Sequence, residues 1–125
     1  RFGDTTDATA QIKALSSLGL RPSFITNASV LTLTNEIDQG RPVAVGWLHK
    51  GPIAAPTGGG HWSVIVGYNP TALIVNDPNG EADLVNGGYV NHAGGRGVSY
   101  SRKNWLKRWE VPTAGSGWAM LCEPS

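Results

Sequence analysis

Two apolar runs, residues 42–48 and 61–68, decide most of what this chain can fold into. The first reads Pro-Val-Ala-Val-Gly-Trp-Leu and holds no polar side chain. The second reads His-Trp-Ser-Val-Ile-Val-Gly-Tyr and is rich in β-branched and aromatic residues. Both have the length and composition of strands rather than helices. Side chains alternate across a strand. Val43, Val45 and Trp47 therefore oppose Ala44, Gly46 and Leu48, and Trp62, Val64, Val66 and Tyr68 oppose Ser63, Ile65 and Gly67. Runs apolar on both faces predict strands covered on both faces. Asn69-Pro70 turns the chain into a third strand over 72–75, and Asn76-Asp77-Pro78-Asn79-Gly80 ends it. The three strands are expected to pair as neighbours in one antiparallel sheet.

The remaining segments supply helices and edges. Thr5-Thr6-Asp7 caps a helix over 8–18, with Ala10, Ile12, Ala14, Leu15 and Leu18 at helical spacing and Gly19 at its end. Residues 21–26 read as a short strand. Asn27 or Ser29 caps a second helix whose stripe is Val30, Leu33 and Ile37, ending at Gly40. Ser101 caps a third through Trp109, with Trp105 and Trp109 one turn apart and core-facing, and 117–122 is a last strand. Residues 50–60 form a loop, and 81–98, rich in Gly and Asn, carry no defined element. The order predicts an α+β fold, an antiparallel sheet packed with helices. A chain of 125 residues makes one domain with a core of its own.

Several functions are excluded or disfavoured. Ten Lys and Arg against nine Asp and Glu leave a net charge of +1, so strong electrostatic binding of nucleic acid or an acidic membrane is not implied. No apolar run approaches the ~20 residues of a membrane span. Arg1 opens no apolar signal segment. Cys122, the single cysteine, can neither form an internal bridge nor build a zinc site alone, and in an apolar strand it reads as an inert thiol. His49, His61 and His92 fit no short metal-ligand spacing, so no metal and no cofactor is expected. Gly58-Gly59-Gly60 lacks a following Lys-Ser/Thr and precedes a strand, unlike a phosphate loop. Arg96, Arg102, Lys103, Lys107 and Arg108 form an acid-free basic stretch, read as a solvated helix face or a contact with anionic polymer.

The chemistry converges on His61 and Asp77. His61 opens the second strand directly after three glycines, and Gly60 would let a substrate backbone approach its imidazole. Asp77 ends the third strand. If the two strands form a hairpin through Asn69-Pro70, both residues lie at one end of it. A carboxylate there can fix the tautomer of an imidazole and steady its cation. The alternative for the pair is structural: a strand-end histidine on a backbone carbonyl beside an Asp-Pro turn. Trp47 and Trp62, at strand ends beside the expected cleft, are candidate substrate walls.

Gly60-His61-Trp62-Ser63-Val64-Ile65-Val66-Gly67-Tyr68, followed by Ile74-Val75-Asn76-Asp77-Pro78-Asn79-Gly80, resembles the C39-like cysteine peptidases. These are papain-like enzymes that include bacteriocin-leader peptidases and domains of phage cell-wall hydrolases. Residues 37–46 look like the family's segment of helix, glycine, proline and apolar strand, and 100–120 like its closing helix and strand. The resemblance implies a papain-like fold, His61 as general base and Asp77 as the residue that orients it. It implies thiol-dependent hydrolysis of amide bonds, with peptidoglycan cross-links as substrate, in a phage virion or secreted to the bacterial wall. Leader-peptide processing is the alternative within enzymes, and a silent module binding wall peptide or a virion partner the alternative outside them. The family's nucleophile is a cysteine at a helix N-terminus before the histidine, and no cysteine precedes His61 here. Ser16 and Ser17 sit near the wrong end of the first helix, where its dipole disfavours an anion. The sequence is therefore read as the C-terminal portion of the domain, with the nucleophile helix upstream of Arg1 or on a second chain.

Overall fold

The computed structural model describes residues 20–58, 61–111 and 115–124. Strand β1 (Leu20–Ala28) runs into helix α1 (Val30–Asp38), followed by β2 (Val43–Trp47), β3 (His61–Tyr68) and β4 (Ala72–Asn76). Short strands β5 (Glu81–Ala82), β6 (Tyr89–Asn91) and β7 (Val98–Ser101) precede helix α2 (Arg102–Trp109) and strand β8 (Gly117–Pro124). Six strands form one sheet in the order β1-β8-β2-β3-β4-β7, antiparallel throughout, and β5 pairs with β6 alone. The fold is α+β with helices against an antiparallel sheet, compatible with a papain-like architecture. The helix expected over 8–18, with Ser16 and Ser17, lies outside the described residues, as does Gly60.

The expected β2-β3-β4 ladder is present, with Trp47 opposite His61 and Ile65 opposite Val75. Its β3–β4 turn is closed by Asn69, whose Oδ1 accepts from the Thr71 and Ala72 amides at 3.0 and 2.9 Å. Helix α1 starts at Ser29, whose N–H donates to Thr32 Oγ1 at 3.1 Å. Helix α2 starts at Ser101, whose hydroxyl accepts from the Asn104 amide.

One sheet face is closed. Val43, Val45, Trp47, Ile65, Leu73, Val75 and Ala119 form a core with Leu33 of α1 and Trp105 and Trp109 of α2. The Trp105 and Trp109 rings stack at 5.0 Å. The other face corrects the expectation of burial on both sides. Trp62 packs over Gly46 and against Phe24, 6.0 Å between ring centroids, but Val64 and Val66 each remain 37% exposed. The physical reason is that both described helices pack into the same core, on one side of the sheet.

Residues 81–98 are a second correction. They form the β5–β6 ribbon and lead into β7, which extends the sheet beyond β4. The ribbon's turns rest on side chains rather than on an apolar pattern. Asp83 Oδ1 accepts from the Val85 and Asn86 amides, and Asn91 Oδ1 from the Ala93 and Gly94 amides. The basic stretch is a third. Arg108 belongs neither to a solvated face nor to a polymer contact: it is 1% exposed, and its guanidinium donates to the backbone carbonyls of Leu48, Lys50, Gly51 and Leu84.

Candidate active site

The hairpin geometry brings His61 and Asp77 together. Asn76 lies opposite Val64, so Asp77 falls level with Ser63 on the closed face, the face that His61 also joins by alternation. His61 Nε2 lies 2.8 Å from Asp77 Oδ1, and both residues are buried. The backbone around Asp77 is held tightly: its N–H donates to Gly95 O at 2.7 Å and its carbonyl accepts from Gly80. Two glycines make that packing possible. A Cβ on Gly95 would overlap the Asp77 carbonyl oxygen, and Gly80, at φ 116°, lies so close to Asn91 that a Cβ there would overlap its carbonyl.

Two tyrosines complete the cluster. Tyr89, from β6, places its hydroxyl 2.7 Å from His61 Nε2 and 3.0 Å from both Asp77 oxygens. Tyr100, from β7, donates to Asp77 Oδ2 at 2.7 Å and accepts from the Ala82 amide at 2.9 Å. The Asn79 amide donates to Asp77 Oδ1 at 3.1 Å. Burial pushes the Asp77 carboxyl up, but the hydrogen bonds from His61, Tyr100 and the Asn79 amide together outweigh it and hold it below its ordinary value. Both phenols are pushed far up by burial and by the neighbouring carboxylate, so they act as neutral donors.

This network assigns the His61 tautomer. Tyr89 donates its proton to Asp77 and offers a lone pair to Nε2–H, which also points at Asp77 Oδ1. Nδ1 is left with its lone pair, which accepts a long hydrogen bond from Asn79 Nδ2 at 3.4 Å. The imidazole thus has one nitrogen anchored to an anion and the other available to a proton, the arrangement a general base requires.

The tryptophan expectations divide. Trp62 lines a cavity of about 530 Å³ with Val64, Asn76, Pro78 and Arg96, and so borders open space as a substrate wall would. Trp47 does not stand on the surface: it is 1% exposed, with its ring edge-on to His61 at 5.5 Å and its Nε1–H on Ser63 Oγ at 3.1 Å. By alternation it belongs with Val43 and Val45, so it supports the imidazole from within the core. Reading the sequence missed Tyr89, Tyr100 and Asn79. For Tyr100 a signal existed: Val98 and Tyr100 alternate with Ser99 and Ser101, a period-2 pattern. Among the described residues no cluster of three or more His, Cys, Asp or Glu is placed to hold a metal, and no helix is long and apolar enough to cross a membrane.

A family model described as the Peptidase_C39 like family matches residues 4–110. No curated protein and no solved structure gives a significant match.

Proposed function

Because this chain belongs to the C39-like peptidase family, we propose that it supplies the base and orienting residue of a cysteine peptidase that cuts peptide cross-links of peptidoglycan. The observation that carries this reading is the 2.8 Å contact of His61 Nε2 with a buried, ionised Asp77, which leaves the lone pair on Nδ1, where Asn79 Nδ2 is a long 3.4 Å away. Nδ1 takes the thiol proton, and the thiolate attacks the substrate carbonyl carbon. His61, now cationic and steadied by Asp77, returns the proton to the departing amine as the C–N bond breaks. Water then attacks the thioester, its proton again passing to Nδ1, and the free acid and thiol are released.

The nucleophile in this reading is a cysteine ahead of Arg1 or on a second chain. Cys122 is unsuited by position. The β8 register puts Trp118 opposite Gly46 and Trp62, one step from the level of His61. Cys122 stands four residues farther along, about 13 Å at the rise of a strand, on the side leading away from His61. The half-exposed Val64 and Val66 support a further element against that sheet face. By the same reading the protein acts at the bacterial wall, from a phage virion or after secretion.

The test is cleavage of purified peptidoglycan by the protein with its upstream segment. His61→Ala should lose ~10²–10⁴-fold in rate or more while remaining folded, and a thiol alkylating reagent should abolish the wild-type rate. Unchanged cleavage by the Ala variant would remove His61 from the reaction. A second reading, a module that binds wall peptide without cutting, is favoured by the lack of a cysteine before His61. It predicts retention on peptidoglycan with no new amino termini released.

A further inference from the structure

We propose that the cavity behind the His61–Asp77 pair is a subsite for a carboxylate of the peptide substrate, held by the guanidinium of Arg96 and the side-chain amide of Asn76. That the carboxylate belongs to a substrate rests on the reading of this sheet end as a peptidase cleft; the affinity of the cavity for a carboxylate does not.

The cavity, about 530 Å³, opens on the sheet face opposite the closed core. Trp62, Val64 and Asn76 line it from β3 and β4, and Pro78, His92 and Arg96 from the loops beyond. Asn76 pairs with Val64 in the ladder and so shares its face. His61 and Asp77 are the chain neighbours of Trp62 and Asn76, and by alternation their side chains turn to the other face. The cavity and the imidazole thus lie on two sides of one strand end. An extended peptide crossing that end, at ~3.3 Å per residue, passes from one to the other within about two or three residues. Val66, two residues farther from that end, is not on the lining, so an element laid on it bounds the cavity without filling it.

The backbone around Arg96 is fixed. Gly95 O accepts from Asp77 N–H at 2.7 Å, and Gly97 N–H donates to Asn76 Oδ1 at 2.8 Å. Arg96 is clamped on either side against the end of β4, while it is itself exposed and pairs with no carboxylate among the described residues. The Gly97 bond also orients the Asn76 amide. With Oδ1 taken, the group left to offer is Nδ2–H, a donor. His92 adds a ring and no negative charge: its Nδ1 lies 3.1 Å from Asn79 O, and it stacks on Tyr89 at 5.7 Å. Asp77 is the one acid among the described lining residues. Its side chain is fully buried, and its oxygens are engaged by His61, Tyr89, Tyr100 and the Asn79 amide. The cavity therefore presents a forked cation, an amide donor and no exposed anion. A carboxylate matches this set, since its two oxygens fit the guanidinium fork. Val64 and Pro78 offer apolar surface to the methylenes that carry a side-chain acid.

The experiment is an NMR titration of the protein with its upstream segment, as wild type and as His61→Ala, the latter to prevent turnover. The probes are acetyl-Ala-Glu-Ala-amide, acetyl-Ala-Gln-Ala with a free terminal carboxylate, and the neutral acetyl-Ala-Gln-Ala-amide. At least one acidic probe should bind about tenfold or more tightly than the neutral one, the effect of charge-assisted hydrogen bonds. It should shift the Arg96 Nε–H, Asn76 Nδ2–H and Trp62 indole signals. Which acid binds tells whether the carboxylate comes from a side chain or a chain end. Arg96→Gln should remove the preference, and Arg96→Lys should restore only part of it, because an ammonium lacks the fork. Asn76→Asp, which keeps the acceptor for Gly97 but loses the donor, should also remove it. Lys103→Gln, exposed on α2, should leave it unchanged. Equal binding of acidic and neutral probes, no binding of either acid, or a preference that survives Arg96→Gln overturns the proposal. Arg96 is exposed, so its variants fold and the outcome stands on binding. Selective binding with unaltered cleavage by His61→Ala would keep the subsite and discard the base; cleavage lost in His61→Ala with no selectivity would do the reverse.

Discussion

Four donors converge on the Asp77 carboxylate: His61 Nε2, the hydroxyls of Tyr89 and Tyr100, and the Asn79 amide. A carboxyl held below its ordinary value of 3.8 binds protons more weakly folded than unfolded. Its contribution to stability is therefore present in full above that value and lost as the pH falls below it. Asp77→Asn should lose less stability than wild type between about pH 5 and pH 2, read from urea midpoints measured across that range. Tyr100→Phe strands the Ala82 amide and removes a donor from Asp77. It should cost about 1–3 kcal/mol in the same measurement. His61 and Asp77 were legible in the sequence because each sits where a strand meets a turn, so pairing two strands was enough to bring them together. Trp47 was misplaced although its alternation with Val43 and Val45 assigned it to the core. Tyr89 was not legible, since its strand of three residues is held by turn side chains and carries no periodic signal.

At the level of elements, α2 does more than cover the sheet, because Arg108 on its last turn joins two loops that flank His61. The segment 48–51 and the β5–β6 turn have no common strand; the guanidinium gives them one set of donors. Arg108→Met should cost about 3–5 kcal/mol, seen as a lower urea midpoint, since it leaves buried carbonyls without partners. Arg108→Lys should recover only part of that, because one ammonium cannot reach four carbonyls spread over two loops. The long elements were readable: β2, β3 and β4 from their apolar runs, α1 from Val30, Leu33 and Ile37, α2 from its serine cap and tryptophan pair. The strand β7 was not, despite its alternating pattern, because its partner β4 lies far from it in sequence, and the β5–β6 ribbon was not, because strands of two and three residues carry no apolar period. The role of Arg108 could not be read from charge alone, since burial and not composition separates it from Lys107.

Across the whole molecule the sheet order puts β8 between β1 and β2. Among the sheet strands, β1 pairs with β8 alone, so β8 is its sole attachment to the rest of the sheet. Removing residues 117–125 should therefore release β1 and uncover Val45 and its neighbours. The truncated chain should lose a single cooperative urea transition and bind a hydrophobic dye that the intact chain excludes. The same order has a consequence for how the molecule comes into being. Of the eight strands described, the one made last on the ribosome belongs in the interior. Until it emerges, β1 and β2 each present an open edge to solvent, and the chain must wait in a state that invites aggregation or a chaperone.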